Sequence, residues 1–207
     1  MHRGRDDVVK RLFDGALAFV GLTISLPLWV LFAAAIKLED GGPVFFAQDR
    51  VGQDGRVFRA LKFRSMHVDA ERGTGPVQAR QNDQRVTRVG RVMRATAMDE
   101  LPQLWNIFRG DMSFVGPRAL RPGEIEMEGG TPVALEAVPG YADRILVRPG
   151  LTGVAQVYAP RDISRRSKFR YDRLYIQRRS FGLDVRLILL SFWISFRGTW
   201  ESRGRKY

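Results

Sequence analysis

The chain has 207 residues, enough for one ordinary domain and an appendage, and its 44% hydrophobic content suits a folded protein. A formal net charge of +12 asks for an anionic partner: nucleic acid, an acidic membrane surface or a phosphorylated substrate. With no cysteine, disulfides, thiolate zinc sites and cysteine nucleophiles are excluded, and with only His2 and His67 any metal must take oxygen ligands, as magnesium or manganese does.

The first element is the run Ala16–Ile36, which carries no charge and is apolar apart from Gly21, Thr23, Ser25 and Pro27. About 20 such residues cross a bilayer, whereas the apolar part of a signal peptide runs to about 7–15. A helix apolar on every face needs lipid or a large protein around it, so insertion among membrane lipids is expected. Lys and Arg beside a span prefer the cytoplasm. Here Arg3, Arg5, Lys10 and Arg11 precede the run, and Arg50, Arg56, Arg59, Lys62 and Arg64 follow it. Both flanks ask for the cytoplasmic face, so the helix is expected to re-enter rather than cross. Pro27 supplies the break by losing a backbone donor and clashing with the carbonyl of Thr23, and Ser25 is expected to satisfy a group freed there.

Gly41-Gly42-Pro43 ends the helix. Two strand-like stretches follow, Val44–Gln48 and Val57–Phe63, and the connection with Gly52 and Asp54-Gly55 makes them a hairpin. Residues Gly73–Asp83 lack periodicity and read as a mobile loop. Val89, Val92 and Met93 suggest a short helix, and Leu101, Leu104, Trp105 and Phe108 form the stripe of another that ends at Gly110. Residues Ile145–Tyr158 contain Arg148-Pro149-Gly150-Leu151-Thr152-Gly153, a stretch too rich in Pro and Gly for a helix. A basic helix is expected over Ser164–Arg179, and the apolar tail from Leu183 to Trp200 suits either a core helix or one lying in the membrane interface.

No P-loop, GxGxxG, HExxH or GxSxG is present. The conspicuous chemistry is Asp99-Glu100, adjacent acids in a neighbourhood containing Arg85, Arg88, Arg91, Arg94, Arg109 and Arg118. They fall where a helix N-terminus favours anionic ligands. Asp is also a preferred N-cap, and Thr96-x-x-Asp99 fits a capping box, so a purely structural role stands beside the chemical one.

Four words occur in order: Lys62-Phe63-Arg64-Ser65-Met66, Asp99-Glu100-Leu101-Pro102-Gln103-Leu104-Trp105-Asn106, Gly110-Asp111-Met112-Ser113-Phe114-Val115-Gly116-Pro117-Arg118, and Arg148-Pro149-Gly150-Leu151-Thr152-Gly153. Together they resemble the bacterial sugar transferase family, the monotopic phosphoglycosyl transferases, from about Lys10 to Ile194. The resemblance implies transfer of a sugar 1-phosphate from a UDP-sugar to a polyprenyl (undecaprenyl) phosphate, with release of UMP. It implies that Asp99 is the nucleophile and forms an aspartyl intermediate, with Glu100 as the ligand of Mg2+. Lys62, Arg64, Arg94, Arg118 and Arg148 become candidates to hold phosphate, and Asp172 a site acid for metal or nucleotide. No nucleic-acid reader motif is present.

Two departures stand out. Pro117-Arg118-Ala119 replaces the family's usual Pro-Arg-Pro, and Leu26 separates Ser25 from Pro27 where the family has Ser-Pro. The expected architecture is α/β, mostly α. Residues 1–40 form a re-entrant membrane helix. Residues 41–207 form a compact catalytic domain with a small β-hairpin and amphipathic interfacial helices, on the cytoplasmic face of a bacterial inner membrane.

Overall fold

A computed structural model describes residues 2–70, 72, 83–128, 131–160, 163–198 and 200, with the backbone alone for residues 2–6 and 128. The expected loop Gly73–Asp83 lies outside the described residues except for Asp83.

Helix α1, His2–Asp40, runs for 39 residues with Pro27 inside it. From Asp7 to Asp40 it is long and apolar enough to cross a membrane, and most of that stretch is exposed. Pro27 costs the carbonyl of Thr23 its usual donor. Ser25 answers a different group from the expected one: its hydroxyl donates to the carbonyl of Leu22 at 3.3 Å and accepts from Trp29 Nε1 at 3.0 Å.

Strands β1 (Phe45–Val51) and β2 (Val57–Phe63) form the expected antiparallel hairpin, in register from Phe45 opposite Phe63 to Val51 opposite Val57. Helix α2 spans Arg88–Ala95, a 3-10 turn spans Met98–Glu100, and α3 spans Gln103–Arg109 before a left-handed Gly110. The carboxylate of Glu39 caps α2 from outside, accepting from the N–H of Arg88 at 2.6 Å and of Val89 at 3.1 Å. Arg11 closes the other end of the pair, donating to the carbonyls of Ile107 at 3.1 Å and Phe108 at 2.6 Å at the end of α3.

Strand β3 (Ser113–Val115) pairs in parallel with β6 (Gly150–Thr152), a contact so close that a Cβ on Gly150 would lie 2.0 Å from the nitrogen of Gly116. Between them lie the β4 (Ile125–Glu128) and β5 (Thr131–Ala134) hairpin and α4 (Tyr141–Ile145). The stretch Arg148–Gly153 is free of helix as expected and holds β6, with α4 closing at Ile145 before it and α5 occupying Val154–Tyr158 after it. The Pro and Gly stop at Gly153, and Val154 and Val157 then have a core to enter. Helix α6 (Arg165–Arg178) starts at Ser164, whose hydroxyl accepts from the N–H of Ser167, and α7 (Phe181–Phe196) follows. Leu187, Ile188 and Ile194 of α7 face the core, while Phe192 and Phe196 are exposed.

The core shows how α1 is used. Ala18 is buried with Leu104, Ile107, Met112, Val115, Val157, Tyr175, Leu187 and Ile194, drawn from α3, β3, α5, α6 and α7. Past Pro27, Ile36 is buried with Phe63 and Met93, and Trp29 and Phe32 pack edge-on or tilted against Phe63. Residues 1–40 and 41–207 therefore share their apolar interior.

Candidate active site

The acidic pair owes its place to a backbone device. Ala97 adopts φ 56°, ψ 18°, the left-handed region that a residue with a Cβ rarely occupies. That twist turns the chain out of α2 into the 3-10 turn and points both carboxylates inward, at 7% exposure each. Asp99 is not the cap of α3, which starts after Pro102 with no side-chain cap. The structural alternative left open above is thereby removed.

Glu100 Oε1 accepts from Lys62 Nζ at 2.5 Å and from Arg118 Nη2 at 3.3 Å. Burial alone would raise its pKa; the charges and hydrogen bonds of Lys62 and Arg118 outweigh that and hold it down to about 2. Asp99 has no hydrogen bond or ion pair among the described residues. Burial lifts its pKa to about 6; Lys62, Arg94 and Arg118 oppose the rise, and Glu100 adds to it. So two adjacent acids differ by environment: Glu100 is paired and held charged, and Asp99 is buried without a partner among the described residues.

Asn106, fully buried, brings Lys62 to the pair. Its amide accepts from the N–H of Leu61 at 3.0 Å and donates to the carbonyl of Arg59 at 2.8 Å, so α3 is stitched to β2 one residue from Lys62. A cleft opens beside the pair, lined by Arg50, Lys62, Glu100, Gln103, Met112, Arg118 and Leu151 among others. Gln103 is buried there with its amide making no hydrogen bond to a described residue. Burial, with repulsion from Arg118 and Arg121, pulls the Arg50 pKa down to about 10, which leaves it a cation and marks the cleft as one that an anion would relieve.

The sequence-derived set is thus brought together only in part. Lys62, Glu100, Arg118 and Asp99 converge, and Arg94, in the last turn of α2, acts on Asp99 by its charge. Arg64 goes elsewhere. Its guanidinium is buried against Asp40 and the carbonyls of Pro43 and Met66, tying the end of α1 to β2. Arg148 lies half-buried, its side chain without a hydrogen bond or ion pair among the described residues, and its backbone packs on Gly116. Asp172 is buried and accepts from Arg144 Nε at 2.8 Å, and Arg144 Nη2 in turn donates to the carbonyl of Arg118 at 2.7 Å. Arg144, Arg50, Gln103 and Asn106 were missed as site residues; only Gln103 and Asn106 lie inside a recognisable word.

Comparison with known proteins follows the same lines. Residues 5–198 match a family model described as bacterial sugar transferase. The chain is 42% identical over 188 residues to UDP-glucose:undecaprenyl-phosphate glucose-1-phosphate transferase of Caulobacter vibrioides, covering 88% of this chain and 68% of that protein. It is 40% identical over 193 residues to undecaprenyl-phosphate glucose phosphotransferase of Komagataeibacter xylinus, covering 90% of this chain but only 35% of the relative. With exopolysaccharide production protein PSS of Rhizobium leguminosarum bv. phaseoli the identity is 38% over 188 residues, 88% of this chain and 92% of the relative.

Proposed function

The chain belongs to the bacterial sugar transferase family, and from that premise we propose that it moves a sugar 1-phosphate from a UDP-sugar to undecaprenyl phosphate through a covalent intermediate on Asp99. The observation that carries this is the buried carboxylate of Asp99, unpaired among the described residues, beside a Glu100 already neutralised by Lys62 and Arg118.

The cations of the cleft lower the repulsion that an anionic substrate would otherwise meet at a carboxylate. An Asp99 oxygen attacks the phosphorus that bears the sugar. The new P–O bond forms as the bond to UMP breaks, and UMP leaves with the electron pair. An oxygen of the lipid phosphate then attacks the same phosphorus and frees Asp99. Splitting the transfer this way lets each phosphate acceptor occupy one site in turn. Lys62 and Arg118 keep Glu100 ionised and aligned throughout.

Magnesium fits this donor set. Both cations use Oε1 of Glu100, leaving Oε2 without a partner among the described residues. Magnesium commonly takes one or two protein carboxylates and completes its shell with substrate phosphates and water, and Glu100 is a carboxylate of that kind. Glu100 would hold the ion, which when bound would neutralise charge on the phosphate oxygens.

Kinetics test the intermediate. Initial rates measured over a panel of nucleotide sugars with undecaprenyl phosphate should give parallel double-reciprocal lines; intersecting lines mean direct attack by the lipid and remove Asp99 from its role.

The same reading includes re-entry of α1 from the cytoplasmic face. What supports it is that α1 is tied to the catalytic body on both sides of Pro27, by Arg11 and Ala18 before it and by Ile36, Glu39 and Asp40 after it. A helix that crossed about 30 Å of hydrocarbon would carry one of those sets away from the body. Single cysteines placed at residue 3 and residue 75 should both stay protected from an impermeant thiol reagent in intact cells. Labelling at residue 3 alone means a true span.

A further inference from the structure

The loop that carries Arg118 is neither helix nor strand, yet its carbonyls are accounted for one after another. Pro117 O accepts from the N–H of Gly150 at 2.9 Å, and Leu120 O from the N–H of Val51 at 2.8 Å. The two carbonyls between them take side-chain donors from distant parts of the chain. Arg118 O accepts from Arg144 Nη2 at 2.7 Å and Ala119 O from Arg50 Nη1 at 3.1 Å.

Each guanidinium is itself held. Arg144 donates from Nε to Asp172, and its charged carbon lies 4.2 Å from the ring centroid of Phe169. Arg50 donates its other arm to Gln48 Oε1 at 2.5 Å. The Arg118 side chain, by contrast, is 43% exposed and has, among the described residues, one bond to aim it, the 3.3 Å contact with Glu100. Its direction therefore depends on the backbone beneath it. A proline after Arg118 would stiffen that backbone covalently; Ala119 does not.

We infer that Arg144 and Arg50 are positioning residues that lock the Arg118 loop, and that Asp172 serves the reaction by orienting Arg144 and not by touching metal or nucleotide. The inference rests on the function proposed above, since it acts through Arg118. A buried ion pair such as Arg144–Asp172 gains little net stability over apolar residues of similar size, so a use in geometry accounts for it better than a use in folding.

The test is a double-mutant cycle on the full-length protein in lipid nanodiscs. The substrates are undecaprenyl phosphate and whichever of UDP-glucose, UDP-galactose and UDP-N-acetylgalactosamine is turned over. Arg144→Met is made together with Asp172→Asn, so that no lone charge is left buried, and is measured with Arg118 intact and with Arg118→Ala. With Arg118 present, kcat/KM should fall on the order of tenfold to a hundredfold, the scale of misplacement by about 1 Å. With Arg118 already removed, the same pair should cost less than about threefold. Equal losses in both backgrounds would mean that Arg144 or Asp172 acts on substrate directly, and the inference fails while the proposed reaction stands. If Arg118→Ala alone cost nothing, the role given to Arg118 and this inference would fall together. Should the pair variant not fold, Arg50→Met runs the same cycle on the next carbonyl, and the same non-additivity is required of it.

Discussion

Asp99 and Glu100 share a buried pocket with Lys62; Asp14 and Asp184 share another with Lys10. Residue types and burial are much alike in the two places. Lys10 Nζ lies 2.5 Å from Asp184 Oδ2 and 4.0 Å from Asp14 Oδ2, while Asp14 accepts from the N–H of Phe114 at 3.3 Å. The hydroxyl of Tyr175 sits 2.8 Å from Asp184 Oδ1 and 3.1 Å from the carbonyl oxygen of Val115. That second cluster joins α1, β3, α6 and α7 inside the apolar core, and neither cleft beside the Arg118 loop reaches it. What sets the first place apart is the cleft beside it and an Asp99 carboxylate with neither hydrogen bond nor ion pair among the described residues. Burial of acids by itself marks neither.

The contrast is broken most severely if Asp99→Asn keeps activity. Turnover should drop by at least about 10³-fold, since the amide has no nucleophilic oxygen of comparable strength. Next in size is Asp184→Asn, which removes the nearer partner of Lys10 and leaves it the more distant Asp14 at 4.0 Å. It should cost about 3 kcal/mol in unfolding free energy while turnover per folded molecule stays near wild type. Denaturant titration alongside a rate assay separates the two, and a large kinetic defect in the Asp184 variant would make the second cluster part of the machinery.

Smaller and of opposite sign is the effect of Asp99→Asn on stability. The folded pKa, at about 6, stands above that of an unfolded aspartate, so ionising Asp99 costs stability as pH rises from about 4 through 6. Asparagine escapes that cost. The variant should be more stable than wild type by on the order of 2 kcal/mol above pH 6, with the gain gone near pH 4. Wild-type turnover should fall as pH drops through about 6, when the nucleophile takes up its proton. A variant no more stable than wild type at pH 8 would show that Asp99 is not strained by its burial. The smallest effect expected is that of Ala97→Gly: relief of the left-handed φ should add up to about 1 kcal/mol, less the entropy glycine brings to the unfolded chain, and leave the acids where they are.

Local signals carried most of the fold. The hairpin came from Asp54-Gly55 between two apolar stretches, and α6 from a run of basic residues that begins at its capping Ser164. The acidic pair was legible because its neighbours form an unbroken word. Its conformation was not. The 3-10 turn depends on a left-handed alanine, which no propensity foretells, and the acids were placed at a helix start they do not occupy. Contacts between distant residues were hidden for a general reason. Arg144 reaches Arg118 across 26 residues and Arg50 reaches Ala119 across 69, and nothing in a local pattern marks one arginine among many as the one that meets a particular carbonyl. Arg64 shows the reverse. It sits in a recognisable word, but the space beside it is filled by Asp40.

Glu39 and Arg11 give α1 a second consequence. The turn that bears Asp99 hangs between α2 and α3, and each of those helices ends on a side chain of α1, Glu39 at one and Arg11 at the other. A helix gripped at both its ends transmits bending to whatever it grips. Any bending of α1 would therefore reach the turn that bears Asp99.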